Sequence, residues 1–215
     1  MPEARRRAGI YVLAGANGAG KSSIGGEALL HAGVEFFNPD AVARHLRSLH
    51  PALRESNANS AAWHAGRQLL ERAIAGRRNF AFETTLGGAT MTRLLAHAAA
   101  AGLEVRVWYI GLATPELHMA RVRARVRRGG HDIPERDVRR RYDQSRLNLI
   151  RLLPDLAELR LYDNSAEADP ASGRAPLPVL LLHLRHARIV APSDLAHTPP
   201  WAQPIVVAAS RLRPD

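Results

Sequence analysis

The segment from Gly15 to Ser22 has the residue types and spacing of a phosphate-binding loop. It reads GANGAGKS and matches the pattern G-x-x-x-x-G-K-[ST]. Its glycines allow a tight turn with inward-pointing N–H groups, and a following helix would add the positive end of its dipole. Lys21 would meet the outer phosphates of a nucleoside triphosphate, and the Ser22 hydroxyl would bind the accompanying magnesium ion. We therefore predict that nine consecutive residues bind the nucleotide: Gly15, Ala16, Asn17, Gly18, Ala19, Gly20, Lys21, Ser22 and Ser23.

The residues on either side of this loop have the patterns of a strand and of a helix. Residues 10–14 are a short apolar run with β-branched side chains, and residues 22–24 can begin a helix. A glycine-rich turn without a function would rarely place Gly20, Lys21 and Ser22 in register behind such a strand. The context therefore favours phosphate binding. We expect Lys21 to be exposed and to contribute little to stability.

A carboxylate, Asp40, follows the next strand-like run, residues 35–38. Pro39 would fix the turn, so that the Asp40 side chain projects into the crevice beside the loop. A carboxylate there could accept the proton of a substrate hydroxyl. The alternative is that Asp40 caps a helix over residues 41–49.

A second carboxylate, Glu83, ends the run over residues 79–83. A charged residue at the end of a buried strand needs a partner, and a magnesium-bound water or a substrate hydroxyl would be one. Thr84 and Thr85 follow it, and capping of the next helix is a sufficient explanation for both.

Residues 117–128 carry two helical patterns at once, one apolar and one basic. Met119, Val122 and Val126 form an apolar stripe, and a second stripe carries Arg121, Arg125 and Arg128. The arginines could close over a transferring phosphate, where fixed positive charge has most effect. The alternative is a solvated basic face.

A second helix follows the break at residues 129–131. Asp132 is predicted as its cap, with Pro134 in the first turn and Glu135 three residues beyond the cap. Arg141 lies along one edge of its apolar stripe. Two helices hinged at a double glycine predict a lid at about residues 117–153.

Apolar strand-like runs alternate with helical patterns along the chain, which indicates a parallel sheet covered by helices. The predicted strands are residues 10–14, 35–38, 79–83, 105–112 and 159–162, and the predicted helices start near residues 21, 41, 60, 88, 115 and 134. Thr114 suits a helix cap, and Gly102 suits a helix stop. In such sheets ligands bind at the carboxyl ends of the strands, where the candidate residues lie.

Length and composition indicate one compact enzyme domain. The chain has 215 residues, of which 46% are hydrophobic, and can bury a substantial core. It contains no cysteine, which excludes disulfides and thiolate metal sites and is typical of a reducing cytoplasm. No apolar run approaches the roughly 20 residues that a bilayer requires. We therefore expect a cytoplasmic protein without membrane contact.

The formal net charge of +10 comes almost wholly from arginine. Arginine makes bidentate contacts with phosphate, which suits a polyphosphate substrate. The same charge is expected of a protein that binds nucleic acid nonspecifically. Against RNA, aromatic residues make up only 5% of the chain, and the sequence shows no stacking platform among the arginines.

Five segments together resemble the zeta-toxin-like P-loop kinases, which are related to nucleotide and shikimate-type kinases. They are GANGAGKSS, FFNPD, FETTL, RRGGHDIPERDVRRRY with the downstream SRLNL, and LRLYDNS. The resemblance implies phosphorylation of a small-molecule hydroxyl that depends on ATP and Mg²⁺. In the founding toxins the acceptor is a UDP-activated N-acetylamino sugar. A protein antitoxin is a further implied partner.

The resemblance also implies roles for residues around the acceptor. Lys21 and Ser22 would bind the triphosphate and the metal. Asp40 would take the proton of the acceptor hydroxyl. Glu83 and Thr85 match an acidic-x-Thr pattern that resembles a substrate contact.

Residues of the lid and of the last segment have implied roles as well. Arg141 and a preceding lid residue, either Arg128 or His131, would clamp the phosphate. Asn164 belongs to a stretch that resembles the one lying against the adenine.

We therefore expect an α/β fold, with a P-loop nucleotide-kinase-like parallel sheet flanked by helices, a helical lid and a small C-terminal hairpin. Residues 1–170 would form the kinase core, and residues 171–215 an appendage of the same domain with a hairpin at 179–190 and a loop. We favour a small-molecule kinase. The alternatives are a kinase or binder acting on RNA or nucleotide ends, and a nucleotide-sensing module without transfer activity, which would not need Asp40.

Overall fold

A seven-stranded sheet forms the centre of the part of the chain that the structure describes. The structure is a computed structural model, and it describes residues 7–21, 36–130, 132–166, 177–191 and 195–213. The strands are β1 (Gly9–Ala14), β2 (Phe36–Phe37), β3 (Phe80–Thr84), β4 (Glu104–Gly111), β5 (Glu158–Asp163), β6 (Val179–Arg185) and β7 (Arg188–Ala191). They lie in the order β2-β3-β1-β4-β5-β6-β7.

The first five strands in that order are parallel, as predicted, and β6 and β7 join as an antiparallel hairpin. Leu13 of β1 pairs with Glu83 of β3, and Gly111 of β4 pairs with Asp163 of β5. The carboxyl ends of the central strands therefore lie side by side. This register brings the phosphate loop, which follows β1, next to Glu83.

The helices are α1 (Pro39–Leu49), α2 (Glu55–Ala75), α3 (Ala89–Ala100), α4 (Pro115–Val126), α5 (Glu135–Leu152) and α6 (Gln203–Ser210). Each predicted helix start after residue 40 lies within two residues of an observed one, except that α2 begins five residues before the predicted Ser60. Of the helix predicted from Lys21, only that first residue is within the described part. No helix in the described ranges is long and apolar enough to cross a membrane.

Two of the predicted helix signals are confirmed, and one is wrong. The Thr114 hydroxyl accepts a hydrogen bond from the Leu117 N–H, and Gly102 follows α3 with φ +81°. Asp132, however, does not cap α5. Pro134 occupies the cap position without a side-chain hydrogen bond, and the Asp132 carboxylate accepts from the N–H of Ile133. A residue before proline is held out of the helical region, so the helix cannot begin at Ile133.

The C-terminal residues pack against the same core as the parallel strands. The predicted hairpin is present, and its turn residues His186 and Ala187 have φ values of +43° and +59°. The segment beyond it, which the sequence indicated to be a loop, contains α6. A Cβ at Gly111 would lie 2.1 Å from the ring of Trp201, so the indole packs directly on the backbone of β4. The free energy gained by burying Trp201 and the apolar side of α6 stabilises this helix, although the nearby prolines favour turns.

Candidate active site

A cavity of about 930 Å³ opens at the carboxyl end of the sheet. Its walls are the phosphate loop, the end of β3, α1, α2 and the facing sides of α4 and α5. It brings together candidates from six parts of the sequence: Asn17, Gly18, Gly20, Lys21, Asp40, Glu83, Thr85, Arg128, Arg141 and Asn164. Gly15, Ala16 and Ala19 lie behind this lining and are buried. Ser22, Ser23 and His131 lie outside the described residues.

The loop has a backbone conformation that requires glycine. Gly15, Gly18 and Gly20 have φ values of +140°, +83° and +86°. A Cβ at Gly15 would lie 2.1 Å from the Ile110 carbonyl oxygen, and one at Gly18 would lie 2.6 Å from that of His118. Any side chain at these two positions would push the loop away from β4 and α4.

Four carbonyl groups of the loop have side-chain hydrogen-bond partners. The Lys21 ammonium donates to the carbonyls of Gly15 and Ala16, at 2.8 and 3.3 Å. His118 Nδ1 lies 2.7 Å from the Asn17 carbonyl, and Asn164 Nδ2 donates to that of Ala19 at 2.9 Å. In a loop that turns its N–H groups toward an anion, the carbonyls face outward and need such donors.

Lys21 is buried, with 7% of its surface exposed, so the expectation of an exposed lysine is wrong. Its Nζ lies 3.5 Å from Glu83 Oε1. Glu83 pairs with Leu13 in the sheet, so it lies beside the end of β1, where the loop that carries Lys21 begins. Glu83 Oε2 also accepts a hydrogen bond from Asn38 Nδ2 at 3.1 Å. The buried carboxylate therefore has at least these two partners within the protein.

Asp40 lies in the first turn of α1 and does not cap it, so the capping alternative is wrong. Asn38 is the cap, and its Oδ1 accepts from the Ala41 N–H at 3.0 Å. Proline at the first helical position moves the cap to the residue before it. The Asp40 side chain is half exposed, and its Oδ2 lies 3.8 Å from Arg125 Nη1. The carboxylate is thus available at the cavity.

Thr84 and Thr85 do not cap α3, so this alternative is also wrong. Gly88 is the cap residue and makes no side-chain hydrogen bond. The two hydroxyls instead accept from the N–H groups of Leu86 and Gly87, at 3.1 and 3.4 Å. They hold a turn in which Leu86 has φ +53°. Thr85 is one of the residues that line the cavity.

The basic stripe faces the cavity, because Arg121 and Arg125 of α4, and Arg128 in the turn after α4, all line it. Arg128 is exposed at the rim, whereas Arg125 contacts Asp40. From α5, Arg141 Nη1 donates to Asn17 Oδ1 at 2.7 Å. Burial lowers the pKa of Arg141, and the negative charge of Asp137 partly opposes this shift. An arginine guanidinium is not deprotonated in proteins, so the group stays cationic.

His118 and Trp63 are residues of this region that the sequence analysis did not single out. His118 is buried on α4, and burial lowers its pKa to about 4, although the hydrogen bond to Asn17 acts in the opposite direction. Its ring packs edge-on against Tyr142. His118 lies four residues before Val122, which indicates that it is on the buried side of α4. Only the fold shows that this side of the helix contacts the phosphate loop. Trp63 lines the cavity from α2.

The zeta toxin family model matches residues 2–152. The chain belongs to the zeta toxin family. The assignment confirms the resemblance carried by the five sequence segments. An uncharacterized protein of Haemophilus influenzae is 35% identical over 133 residues, which are 60% of this chain and 88% of that protein.

Solved structures have the same fold as this zeta toxin family chain. A structure of AvrRxo1-ORF1:-ORF2 with ATP is similar, with a TM-score of 0.65, at 15% identity. The match covers 96% of this chain, which spans 65% of the length of that one. The PezAT toxin-antitoxin system of Streptococcus pneumoniae is similar, with a TM-score of 0.53, at 14% identity, over 75% of this chain and 69% of that one. The α/β fold of a P-loop kinase with a mostly parallel sheet is thereby confirmed.

Proposed function

We propose that this protein transfers the γ-phosphoryl group of ATP to a hydroxyl group of a small molecule. The observation that carries the proposal is the single cavity that has the phosphate loop and Lys21 on one side and Asp40 with the arginines of α4 and α5 on the other. Ligand pockets typically occupy about 300–1,000 Å³. The 930 Å³ of this cavity is near the upper end, as a site for two substrates requires.

The residues present fit ATP and its magnesium ion. Glycines with positive φ shape the loop, and side chains already serve as hydrogen-bond partners for its carbonyls at Gly15 and Asn17. N–H groups of the loop would then bind phosphate oxygens. The Ser22 hydroxyl of the motif and the buried Glu83 carboxylate are hard oxygen groups of the kind that magnesium binds, directly or through water. The ion would neutralise charge on the phosphates.

The residues on the acceptor side support Asp40 as the general base. Its carboxylate is half exposed, faces the cavity and has no capping role. In the proposed step the acceptor oxygen bonds to the γ-phosphorus, the bond from that phosphorus to the ADP oxygen breaks, and the hydroxyl proton passes to Asp40. Arg125 and Arg141 would stabilise the negative charge on the phosphoryl oxygens.

The finer proposal is that the acceptor is a UDP-activated amino sugar, as the family resemblance implies. The wall beyond Asp40 carries the rings of Phe37 and Trp63, and Asn59 and Thr90 add groups that can hydrogen-bond. Ring faces together with amide and hydroxyl groups suit a nucleotide sugar.

The test is an ATP-consumption screen with mass spectrometry of the products. The acceptors are UDP-amino sugars, other nucleotide sugars, nucleosides and RNA ends. We expect ADP and a singly phosphorylated small molecule from the wild type, and neither from the Asp40→Asn variant. Phosphorylation of RNA ends alone would favour the alternative acceptor, and binding of ATP without any transfer would favour a nucleotide sensor.

We also propose a protein antitoxin as a partner. The support is the family assignment, together with the AvrRxo1-ORF1:-ORF2 complex and the PezAT toxin-antitoxin system among the similar structures. If the activity is held in check in this way, expression of the wild type alone should arrest bacterial growth, and Asp40→Asn should not. Equal growth with both variants would contradict the proposal.

A further inference from the structure

We propose that Asn17 is a positioning residue that aims the Arg141 guanidinium at the transferred phosphoryl group. The inference rests on the proposed transfer reaction. It concerns the third position of the phosphate loop, where the motif accepts any residue. The cradle for phosphate is made by backbone N–H groups, so the Asn17 side chain is not needed for it.

Asn17 joins the phosphate loop to both α4 and α5. Its Oδ1 accepts from Arg141 Nη1 of α5 at 2.7 Å, and its backbone carbonyl lies 2.7 Å from His118 Nδ1 of α4. Asn17 itself is buried, with 8% of its surface exposed. The side-chain bond and the backbone bond are separate, so a truncated side chain removes the first and leaves the second.

The turn between β3 and α3 holds the aliphatic part of Arg141. A Cβ at Gly87 would lie 2.9 Å from Arg141 Cγ, so the glycine leaves room for the arginine stem. Together, Gly87 and Asn17 fix the side chain near its base and at its tip. A guanidinium has five N–H donors, and the bond to Asn17 uses one of them. The others are available to phosphoryl oxygens in the cavity that all three residues line.

Fixing an arginine in advance matters because this side chain has more rotamer freedom to lose than most. A guanidinium that is already oriented stabilises developing charge without reorganising during the reaction. The hydrogen bond from Arg141 to Asn17 provides this orientation. Without it, the position of the guanidinium relative to the loop would depend only on the rotamers of Arg141. Asn17 would therefore act on the rate of transfer and much less on the affinity for ATP.

A double-mutant cycle tests this role. We expect Asn17→Ala to lower kcat roughly 10- to 150-fold, the range for loss of one hydrogen bond to a charged group, and to change the KM for ATP much less. Arg141→Ala should lower kcat further. The double variant should be no slower than Arg141→Ala, because Asn17 acts through that residue. Effects on kcat that multiply would overturn the proposal.

Asn164→Ala is the matched control, since Asn164 also hydrogen-bonds the loop but at Ala19 and not at Arg141. Its effect on kcat should multiply with that of Arg141→Ala. If the effects of Asn164→Ala and Arg141→Ala on kcat also fail to multiply, the loop has collapsed in general, and the specific role of Asn17 is overturned. If Asn17→Ala does not fold, as judged by circular dichroism, Asn17→Ser replaces it, because serine is polar but too short to reach Arg141.

A measurement without turnover separates this proposal from the proposed function. The ¹⁵N relaxation of the Arg141 Nε–H group should report an ordered side chain in the wild type, and an order parameter below about 0.6 in Asn17→Ala. Equal order in both proteins would overturn the positioning role. Absence of phosphoryl transfer to every acceptor would instead contradict the proposed function, and the relaxation result would stand independently.

Discussion

At the scale of single residues, the buried contact between Lys21 and Glu83 predicts a cost in stability as well as in activity. Lys21→Ala should abolish phosphoryl transfer, because the outer phosphates lose their cation. It should also lower the free energy of unfolding by about 1–3 kcal/mol, because a buried carboxylate loses a charged partner. Urea denaturation measures this loss.

Glu83→Gln is the companion variant for Lys21→Ala. In the double variant the amide needs no cation, so part of the lost stability should return while activity stays absent. An unchanged urea midpoint in Lys21→Ala would show that the contact at 3.5 Å contributes nothing to stability.

Variants of Asp40 and Asn38, two residues apart in the sequence, distinguish a role in the reaction from a role in helix capping. Asp40→Asn should lower kcat roughly 10²- to 10⁴-fold with little change in stability, because it removes a general base and no cap. Asn38→Ala should cost at least about 1 kcal/mol, the usual contribution of a cap, because it also removes the hydrogen bond to Glu83. Steady-state kinetics and thermal unfolding of both variants check the two halves of the prediction. Wild-type turnover by Asp40→Asn would exclude the residue as a base.

At the scale of elements, α4 and the turn that follows it carry arginines with different surroundings. Arg125 lies beside Asp40, whereas Arg128 is exposed at the rim of the cavity. We expect Arg125→Gln to lower kcat about 10²- to 10³-fold, as for loss of a donor to a transition-state anion, and Arg128→Gln to have a smaller effect. Titration with a non-hydrolysable ATP analogue should show much smaller changes in affinity.

Arg139→Gln is the matched control on α5. Arg139 forms ion pairs with Glu116 and Glu135 and is not among the cavity residues. Exposed pairs of this kind contribute little to stability, so both kcat and the unfolding midpoint should stay near wild type. If kcat falls as much in Arg139→Gln as in Arg125→Gln, the total charge of these helices, and not the position of each arginine at the cavity, determines the rate.

At the scale of the whole molecule, His118 predicts a pH dependence of stability. Its folded pKa of about 4 is below the ordinary value, so between about pH 6.5 and pH 4 the unfolded chain binds a proton that the folded protein does not. This contribution is fully present above that window. It is lost at about 1.4 kcal/mol per pH unit as the pH falls through the window.

The comparison of wild type with His118→Gln isolates this contribution. Urea unfolding at about pH 7.5 and pH 5 should show a smaller loss for the variant, since glutamine does not titrate and the carboxylates are common to both proteins. The same pH slope in both proteins would contradict a buried neutral histidine.

The arrangement of charge over the whole molecule bears on the RNA alternative. Two aromatic rings do lie among arginines in the sheet: Tyr11 and Trp108 stack at 6.2 Å on neighbouring strands, with Arg106 and Arg160 over them. Both arginines, however, pair with Glu158. We therefore expect binding of single-stranded RNA no tighter than the nonspecific range of about 10⁻⁴–10⁻⁶ M at physiological salt, measured by fluorescence anisotropy.

Much of the fold and part of the candidate site were predictable from local pattern. Alternating strand and helix signals predicted the parallel sheet. The motif predicted the loop from Gly15 to Lys21, because its glycines have the positive φ values that the loop requires. The Thr114 cap and the C-terminal hairpin also depend on residues close together in the chain. In each case the deciding interactions lie within a few residues, where a sequence pattern can record them.

Contacts between distant segments were decided by the tertiary structure alone. The pairing of β1 with β3 brings the loop after β1 to Glu83, and Lys21 is buried there against a carboxylate 62 residues away in the sequence. The packing of α4 and α5 brings His118 and Arg141 to Asn17. A sequence shows the chemical type of each side chain but not which one its neighbour will be after folding. Burial and charge pairing depend on that neighbour, so the sequence by itself determined the kind of chemistry and the fold determined which groups hold each other in place.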